Sequence, residues 1–308
     1  MGQHVPVLLN ETIEGLNIKP DGIYLDLTIG RGGHSAIILK QLKTGYLIGF
    51  DQDEEAIEES QINLAKVNSR FELIHSNFTK LSEVLTQKNI SYVDGILMDL
   101  GVSSPQFDEG ERGFSYRLDA PLDMRMDTRQ TLTAYDIVNQ YSVSEIAKIL
   151  RDYGEERYAL SIAKNIVKQR ESAPIQTTFQ LVDIIKKSKP MKELKKIGHP
   201  AKQTFQALRI AVNDELNALV KGLNSALEVL RPHGGRLAVI TFHSGEDRLV
   251  KAIFKSMSSS EGDRIDGPVT QKEPLYQLVN HKPIVASQKE SEDNPRSQSA
   301  KLRIIERK

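Results

Sequence analysis

Several short stretches hold side chains whose types and spacing suit chemistry. Gly30-Arg31-Gly32-Gly33-His34 is a glycine-rich turn between an apolar run and a helical pattern. Glycines let the backbone pass close to a ligand, and the first turn of a helix offers unpaired amides. Asp51 closes the next apolar run, about 20 residues on, where a carboxylate can accept both hydroxyls of a ribose. Phe78 and Asp99 close the third and fourth runs, suited to flank an adenine and a methionine group. The chemistry this pattern suits is the binding of a nucleoside-bearing cofactor. A dinucleotide fingerprint G-x-G-x-x-G would need glycine at 35, where Ser35 stands, which weighs against a nicotinamide cofactor. Packing and capping compete with these readings: Asp51 or Asp53 can cap the following helix, and an aromatic such as Phe78 is commonly core.

The elements that must position these residues follow from hydrophobic periodicity. Strands are predicted at 22–28, 46–51, 71–75 and 93–99, and helices at 34–42, 53–64 and 78–87, with Ala56, Ile57 and Leu64 facing inward on the second of these. Strands alternating with helices imply parallel crossovers in a doubly wound α/β sheet. The rhythm stops after Asp99. Residues 101–127 read as loop and 133–197 as helix, and strand signals return only at 236–242 and 301–305. The pattern is a sheet interrupted by an inserted all-helical domain. Boundaries are set at 1–107 with 203–308 for the sheet and 108–202 for the insert.

Composition narrows the functions. The chain has 308 residues, 39% hydrophobic and 27% charged, as in ordinary globular proteins. No apolar run reaches the roughly 20 residues that span a bilayer, and the N-terminus lacks the marks of a secretory signal, so a cytoplasmic protein without membrane attachment is expected. The absence of cysteine excludes thiolate zinc sites and cysteine nucleophiles, including the thiolate that methylation at pyrimidine carbon 5 would normally use. A methyltransferase with this composition acts on nitrogen or oxygen. No metal site is expected. Net charge is zero, which argues against a broadly basic nucleic-acid binder, yet 186–202 carries seven lysines against one glutamate. That stretch is either a solvated helix face or a local phosphate-binding surface.

Longer motifs carry a family resemblance. Residues 98–107 (MDLGVSSPQF), 111–115 (ERGFS) and 121–127 (PLDMRMD) resemble the MraW/RsmH family, the bacterial small-subunit ribosomal RNA (cytosine-N4)-methyltransferases. Residues 4–9 (HVPVLL), 153–157 (YGEER), 199–201 (HPA), 203–210 (QTFQALRI) and 294–297 (NPRS) match as well, so the resemblance spans nearly the whole chain. It implies a Rossmann-like class I methyltransferase core with an inserted helical substrate-recognition domain. It also implies S-adenosyl-L-methionine as cofactor, held by Gly32, Gly33, His34, Asp51, Phe78, Asp99 and Gln106, and 16S ribosomal RNA within the small subunit as partner. The oligomeric state stays open, a homodimer included. Two positions depart from the family pattern. Gly245 stands where leucine is usual and is expected to loosen the nearby loop; Gln298 stands where arginine is common and removes one phosphate contact.

Cytosine's exocyclic amine is a poor nucleophile, because its lone pair is delocalised into the ring. Its methylation needs acceptors that hold the amine hydrogens, and in-line alignment with the methyl donor. Ser104-Pro105-Gln106-Phe107 loosely resembles the S/N/D-P-P-aromatic loop of nucleic-acid amino methylases, with glutamine for the second proline. A hydroxyl and a backbone carbonyl would accept the hydrogens while Phe107 stacks on the base. His243, at the end of strand five, is the candidate for positioning the base or taking the proton. Asp123, Arg125 and Asp127 either pair with one another or position substrate. An oxidoreductase, a non-catalytic RNA-binding module and methylation of a different RNA atom are the competing readings.

Overall fold

The computed structural model describes residues 6–102, 110–259 and 273–308, which divide into two compact units, 1–101 with 217–308 and 102–216. The first unit is built on a sheet. Its strands are β1 (Ile23–Asp26), β2 (Tyr46–Asp51), β3 (Phe71–His75), β4 (Gly95–Asp99), β5 (Gly235–Thr241), β6 (Tyr276–Leu278), β7 (Ile284–Val285) and β8 (Lys301–Arg307). The order is β3-β2-β1-β4-β5-β8-β6, with β7 also on β8. Strands β1 to β5 pair in parallel, and β8 runs antiparallel beside β5.

The inner strands are buried on both faces, so they read as unbroken apolar runs rather than alternating ones. Leu25, Ile48, Ile96 and Leu237 face one layer of core with Leu219, Leu223 and Leu227. Tyr24, Leu47, Leu97 and Ala238 face the other, with Ile38, Leu39 and Leu64. The helices before β4 are α1 (Leu9–Leu16), which the sequence reading does not predict, and α2 (Gly33–Gln41), α3 (Glu54–Ala65) and α4 (Leu81–Gln87), placed within a few residues of the predicted ones. Leu64 is buried as predicted, whereas Ala56 and Ile57 are only partly so. The switch in strand order lies between β1 and β4, and a doubly wound sheet takes its ligand at such a switch, beyond the carboxyl ends of the strands.

The described residues of the second unit hold helices α5 (Ala134–Gln140), α6 (Val143–Gly154), α7 (Ala159–Arg170), α8 (Thr178–Lys187), α9 (Met191–Leu194) and α10 (Lys202–Asn213), with one isolated bridge from Pro121 to Thr177. Capping boxes start α5, α6 and α8, each a Ser or Thr with an acid or glutamine three residues on. Helix α10, which the sequence boundaries left with the sheet, belongs to this unit. Its Phe205, Ala207, Leu208 and Val212 enter the helical core, and a Cβ at Gly154 would meet Gln203 O at 2.5 Å, so α6 and α10 touch at the backbone. Helix α11 (Glu215–Val229) follows.

The segment before α5 is tied down. Arg125 grips Asp123 through Nε at 2.8 Å and Nη2 at 2.7 Å, and Asp127 pairs with Arg129. Asn213 accepts the Met126 amide at 2.7 Å and donates to Met124 O at 2.8 Å. These bonds staple the loop. The lysine-rich stretch is not uniformly solvated either. Lys189 is buried, donating to Glu156 Oε2 at 2.7 Å and Pro200 O at 2.6 Å, while Lys186, Lys187, Lys192, Lys195 and Lys196 are exposed. Among the described residues no helix is long and apolar enough to cross a membrane.

Candidate active site

The glycine turn links β1 to α2 through left-handed backbone at Gly30 (φ 51°) and Gly32 (φ 77°). A side chain at Gly32 would be strained by that φ and would crowd Leu64 at 3.3 Å. At Gly33 the reason is packing: a Cβ would stand 2.5 Å from the Pro6 ring. The N-cap of α2 is Gly32, which has no side chain to cap the first turn. Ser35, which breaks the dinucleotide fingerprint, donates its hydroxyl to Asp26 Oδ2 at 2.7 Å.

Three carboxylates end neighbouring strands: Asp26 on β1, Asp51 on β2 and Asp99 on β4. Asp51 accepts the Gly30 amide at 2.9 Å and the Asp53 amide at 3.0 Å, while Asp53 caps α3 by accepting from Glu55 N. Asp51 thus holds the turn in shape, and Asp53 does the capping. Burial pushes Asp26 and Asp51 up to about 6, against the hydrogen bonds from Ser35 and Thr28 and from Asp53 and Gly30 that pull them down. Asp99 is pushed up to about 8 by burial and by the charges of Asp26 and Glu246. Its backbone N–H donates to Thr28 Oγ1 at 2.6 Å, but its Oδ1 is buried without a hydrogen-bond partner among the described residues. A buried acceptor left open asks for a donor from a ligand. His34 is buried, its Nε2 3.0 Å from Val7 O and its Nδ1 3.7 Å from Asp99 Oδ2. A bond from Nε2 to Val7 O requires a proton on Nε2.

Phe78 follows β3 in a turn capped by Asn77, which accepts from Thr79 N at 2.9 Å. The ring is half-buried against α11, where a Cβ at Gly222 would lie 2.5 Å from it. One part of Phe78 is therefore core. Ser104, Pro105, Gln106 and Phe107 lie outside the described residues.

His243 does something the sequence does not reveal. It is the N-cap of α12 (Ser244–Met257): Nδ1 accepts the Glu246 amide at 3.4 Å, and Nε2 lies 3.2 Å from Glu246 Oε1 without meeting hydrogen-bond geometry. Glu246, buried, returns the bond by accepting from Phe242 N at 2.8 Å and His243 N at 3.2 Å. Nδ1 therefore serves the cap, while Nε2 is buried with no hydrogen-bond partner among the described residues. A Cβ at Gly245 would come within 3.1 Å of the His243 ring, so the glycine makes room for the cap rather than loosening the loop. Glu246 and Asp26 are the residues the sequence reading missed. Asp26 carried a signal, since it ends an apolar run as Asp51 and Asp99 do.

A parallel sheet in this order with an antiparallel β8, and carboxylates ending β1, β2 and β4 around a glycine turn, defines a Rossmann-like methyltransferase. The chain matches the MraW methylase family over residues 1–308 and belongs to it. It is 53% identical over 309 residues to the ribosomal RNA small subunit methyltransferase H of Exiguobacterium sibiricum, covering 100% of this chain and 99% of that one. The protein of the same name from Clostridioides difficile is 51% identical over 307 residues, 99% and 98% of the two chains. Among solved structures, an rRNA methylase from Streptococcus thermophilus aligns with a TM-score of 0.44 at 10% identity, covering 99% of this chain and 98% of that chain.

Proposed function

We propose that this methylase transfers a methyl group from S-adenosyl-L-methionine to the exocyclic N4 amine of a cytidine in 16S ribosomal RNA. The observation that carries the reading is the row of carboxylates at the strand ends, Asp26 buried and Asp51 and Asp99 half-buried, with Asp99 Oδ1 lacking a partner among the described residues. Such a row suits a ligand rich in donors and positive charge. It repels the pyrophosphate of a nicotinamide cofactor, so an oxidoreductase fits poorly. The names of the relatives support ribosomal RNA of the small subunit as substrate.

Bound S-adenosylmethionine supplies an electrophilic methyl on a positively charged sulfur. In this reading the turn at Gly32, Gly33 and His34 receives the cofactor's polar end, Asp51 accepts ribose hydroxyls, and the exposed part of Phe78 flanks the adenine. Asp99 accepts a donor from the cofactor or the target amine at Oδ1. Only its ionised form, which grows as pH rises toward 8, can take the proton that the methylated nitrogen releases. Ser104, Pro105 and Phe107 present acceptors and a stacking ring to the base, with Gln106 toward the cofactor. The helical unit supplies RNA contacts. The test is equilibrium binding of S-adenosylmethionine, followed by transfer of its labelled methyl to small-subunit ribosomal RNA. Absence of binding would point to a non-catalytic RNA module, and binding without transfer to RNA would redirect the substrate assignment.

A further inference from the structure

His199-Pro200-Ala201 is unusually well fixed for a segment between short helices. The Ala201 amide donates to His199 Nδ1 at 3.2 Å, and Lys202 N donates to His199 O at 3.1 Å. Lys189, neutralised by Glu156, donates to Pro200 O at 2.6 Å, and Thr204 donates to the same Glu156 oxygen at 3.3 Å. The imidazole lies flat on Tyr116, ring centroids 4.3 Å apart and planes 11° apart, and Phe205 braces Tyr116 edge-on at 5.8 Å. An Nδ1 that accepts leaves the proton on Nε2. Among the described residues no partner takes that proton, although the ring is only partly buried.

The surroundings are cationic. The charged groups acting on His199 are Lys186, Arg117 and Lys189, and no carboxylate is among them. Burial, then these cations, hold the imidazole below its usual pKa, so it is a neutral donor near pH 7. Lys189 is consumed by Glu156, whereas Arg117 and Lys186 are exposed, with no ion pair among the described residues. The Arg117 guanidinium stands 5.9 Å from the Tyr116 ring centroid. A fixed N–H donor flanked by two unneutralised cations is what a singly charged tetrahedral anion needs.

We infer that His199, Arg117 and Lys186 form a phosphate-binding site on the helical unit that takes one backbone phosphate of the RNA substrate. The inference rests on the RNA reading above and deepens it. The ring makes the directional bond through Nε2, and the two cations supply the charge.

The test is binding of a small-subunit ribosomal RNA transcript to the full-length protein across a series of KCl concentrations. Arg117→Gln and Lys186→Gln should each flatten the dependence of log affinity on log salt by about 0.7–0.9, since each removes a cation that displaces counterions. His199→Phe keeps the stack on Tyr116 but loses the donor. It should weaken binding about 3- to 10-fold at every salt concentration, with the slope unchanged. His199→Gln, whose amide N–H reaches a similar point, should recover part of that loss, which a merely structural role would not produce. S-adenosylmethionine affinity should be the same in all variants, as a check on folding. Variants equal to wild type in both affinity and slope would overturn the inference alone. A wild-type protein that binds no RNA at any salt would overturn the functional reading, and the inference with it. Inorganic phosphate at constant ionic strength separates the two sources of the anion. If it binds more weakly to Arg117→Gln than to wild type while RNA binding is unchanged, the site serves a free anion and the RNA assignment falls.

Discussion

The Ser35 hydroxyl donates to Asp26 Oδ2 at 2.7 Å, tying the first turn of α2 to the end of β1. That single bond joins the glycine turn to the first of the three strand-end carboxylates. It is strongest when Asp26 is ionised, and burial holds Asp26 protonated up to about pH 6. Ser35→Ala should therefore cost about 1.5–3 kcal/mol of stability at pH 8, the range for hydrogen bonds to charged groups, and less at pH 5. Urea unfolding at the two pH values checks this. An equal loss at both would mean that the charge of Asp26 does not change between them.

The Asp51 carboxylate holds the Gly30 and Asp53 amides, and the proposed ribose contact would be a second task. Asp51→Ala should weaken S-adenosylmethionine binding by about 1.5–3 kcal/mol, and Asp51→Asn, which keeps one acceptor oxygen, by less. RNA affinity should stay as it is. Calorimetry showing unaltered cofactor affinity in Asp51→Ala would remove the ribose assignment.

Asp99 gives the fold a pH dependence with a definite sign. It holds its proton to about pH 8 in the folded protein, against 3.8 for an ordinary aspartate. Between those values the native state binds more protons than the unfolded chain, so this group's contribution to stability declines as pH rises through the window. Asp99→Asn removes the titration. Without cofactor, the variant should be less sensitive to pH and should gain on wild type toward pH 8, by about 1.4 kcal/mol per unit of displacement that holds in solution. Parallel stability curves from pH 5 to 9 would show that Asp99 is not displaced.

His243 separates capping from chemistry. His243→Ala should destabilise the protein by about 0.5–2 kcal/mol, the usual cost of losing an N-cap, and His243→Asn, a good capping residue, should restore most of it. Turnover at saturating cofactor and RNA should follow stability in both variants. A hundredfold lower rate in a fully stable His243→Asn would return the imidazole to the proton-transfer step.

The sequence shows the strand ends clearly because β2 and β4 are buried on both faces: their apolar runs stop at Asp51 and Asp99, and nothing else competes for the pattern. Strands β6 and β7, of 3 and 2 residues, carry too little periodicity to register. Partnerships across distance are equally silent. Lys189 and Glu156 are 33 residues apart, and within a lysine run Lys189 looks like any other solvated residue, although it alone of that run is buried on a carboxylate. His243 was visible at the end of a strand, but the direction of its ring depends on Glu246 one helical turn later and on the space left by Gly245. The sequence reading ends its helical stretch at 197, short of α10, and which core takes that helix's apolar face is decided only by the close approach at Gly154.

The central claim is that the carboxylate-lined edge directs a methyl group to the amino nitrogen of a cytidine. Small-subunit ribosomal RNA is incubated with the protein and S-adenosylmethionine carrying a labelled methyl, digested to nucleosides and resolved by chromatography with mass spectrometry. The label should appear in N4-methylcytidine, at one position in the RNA, and should be lost in Asp99→Ala protein that remains folded. Label in a different nucleoside, at cytosine carbon 5 or on a ribose oxygen, would contradict the account.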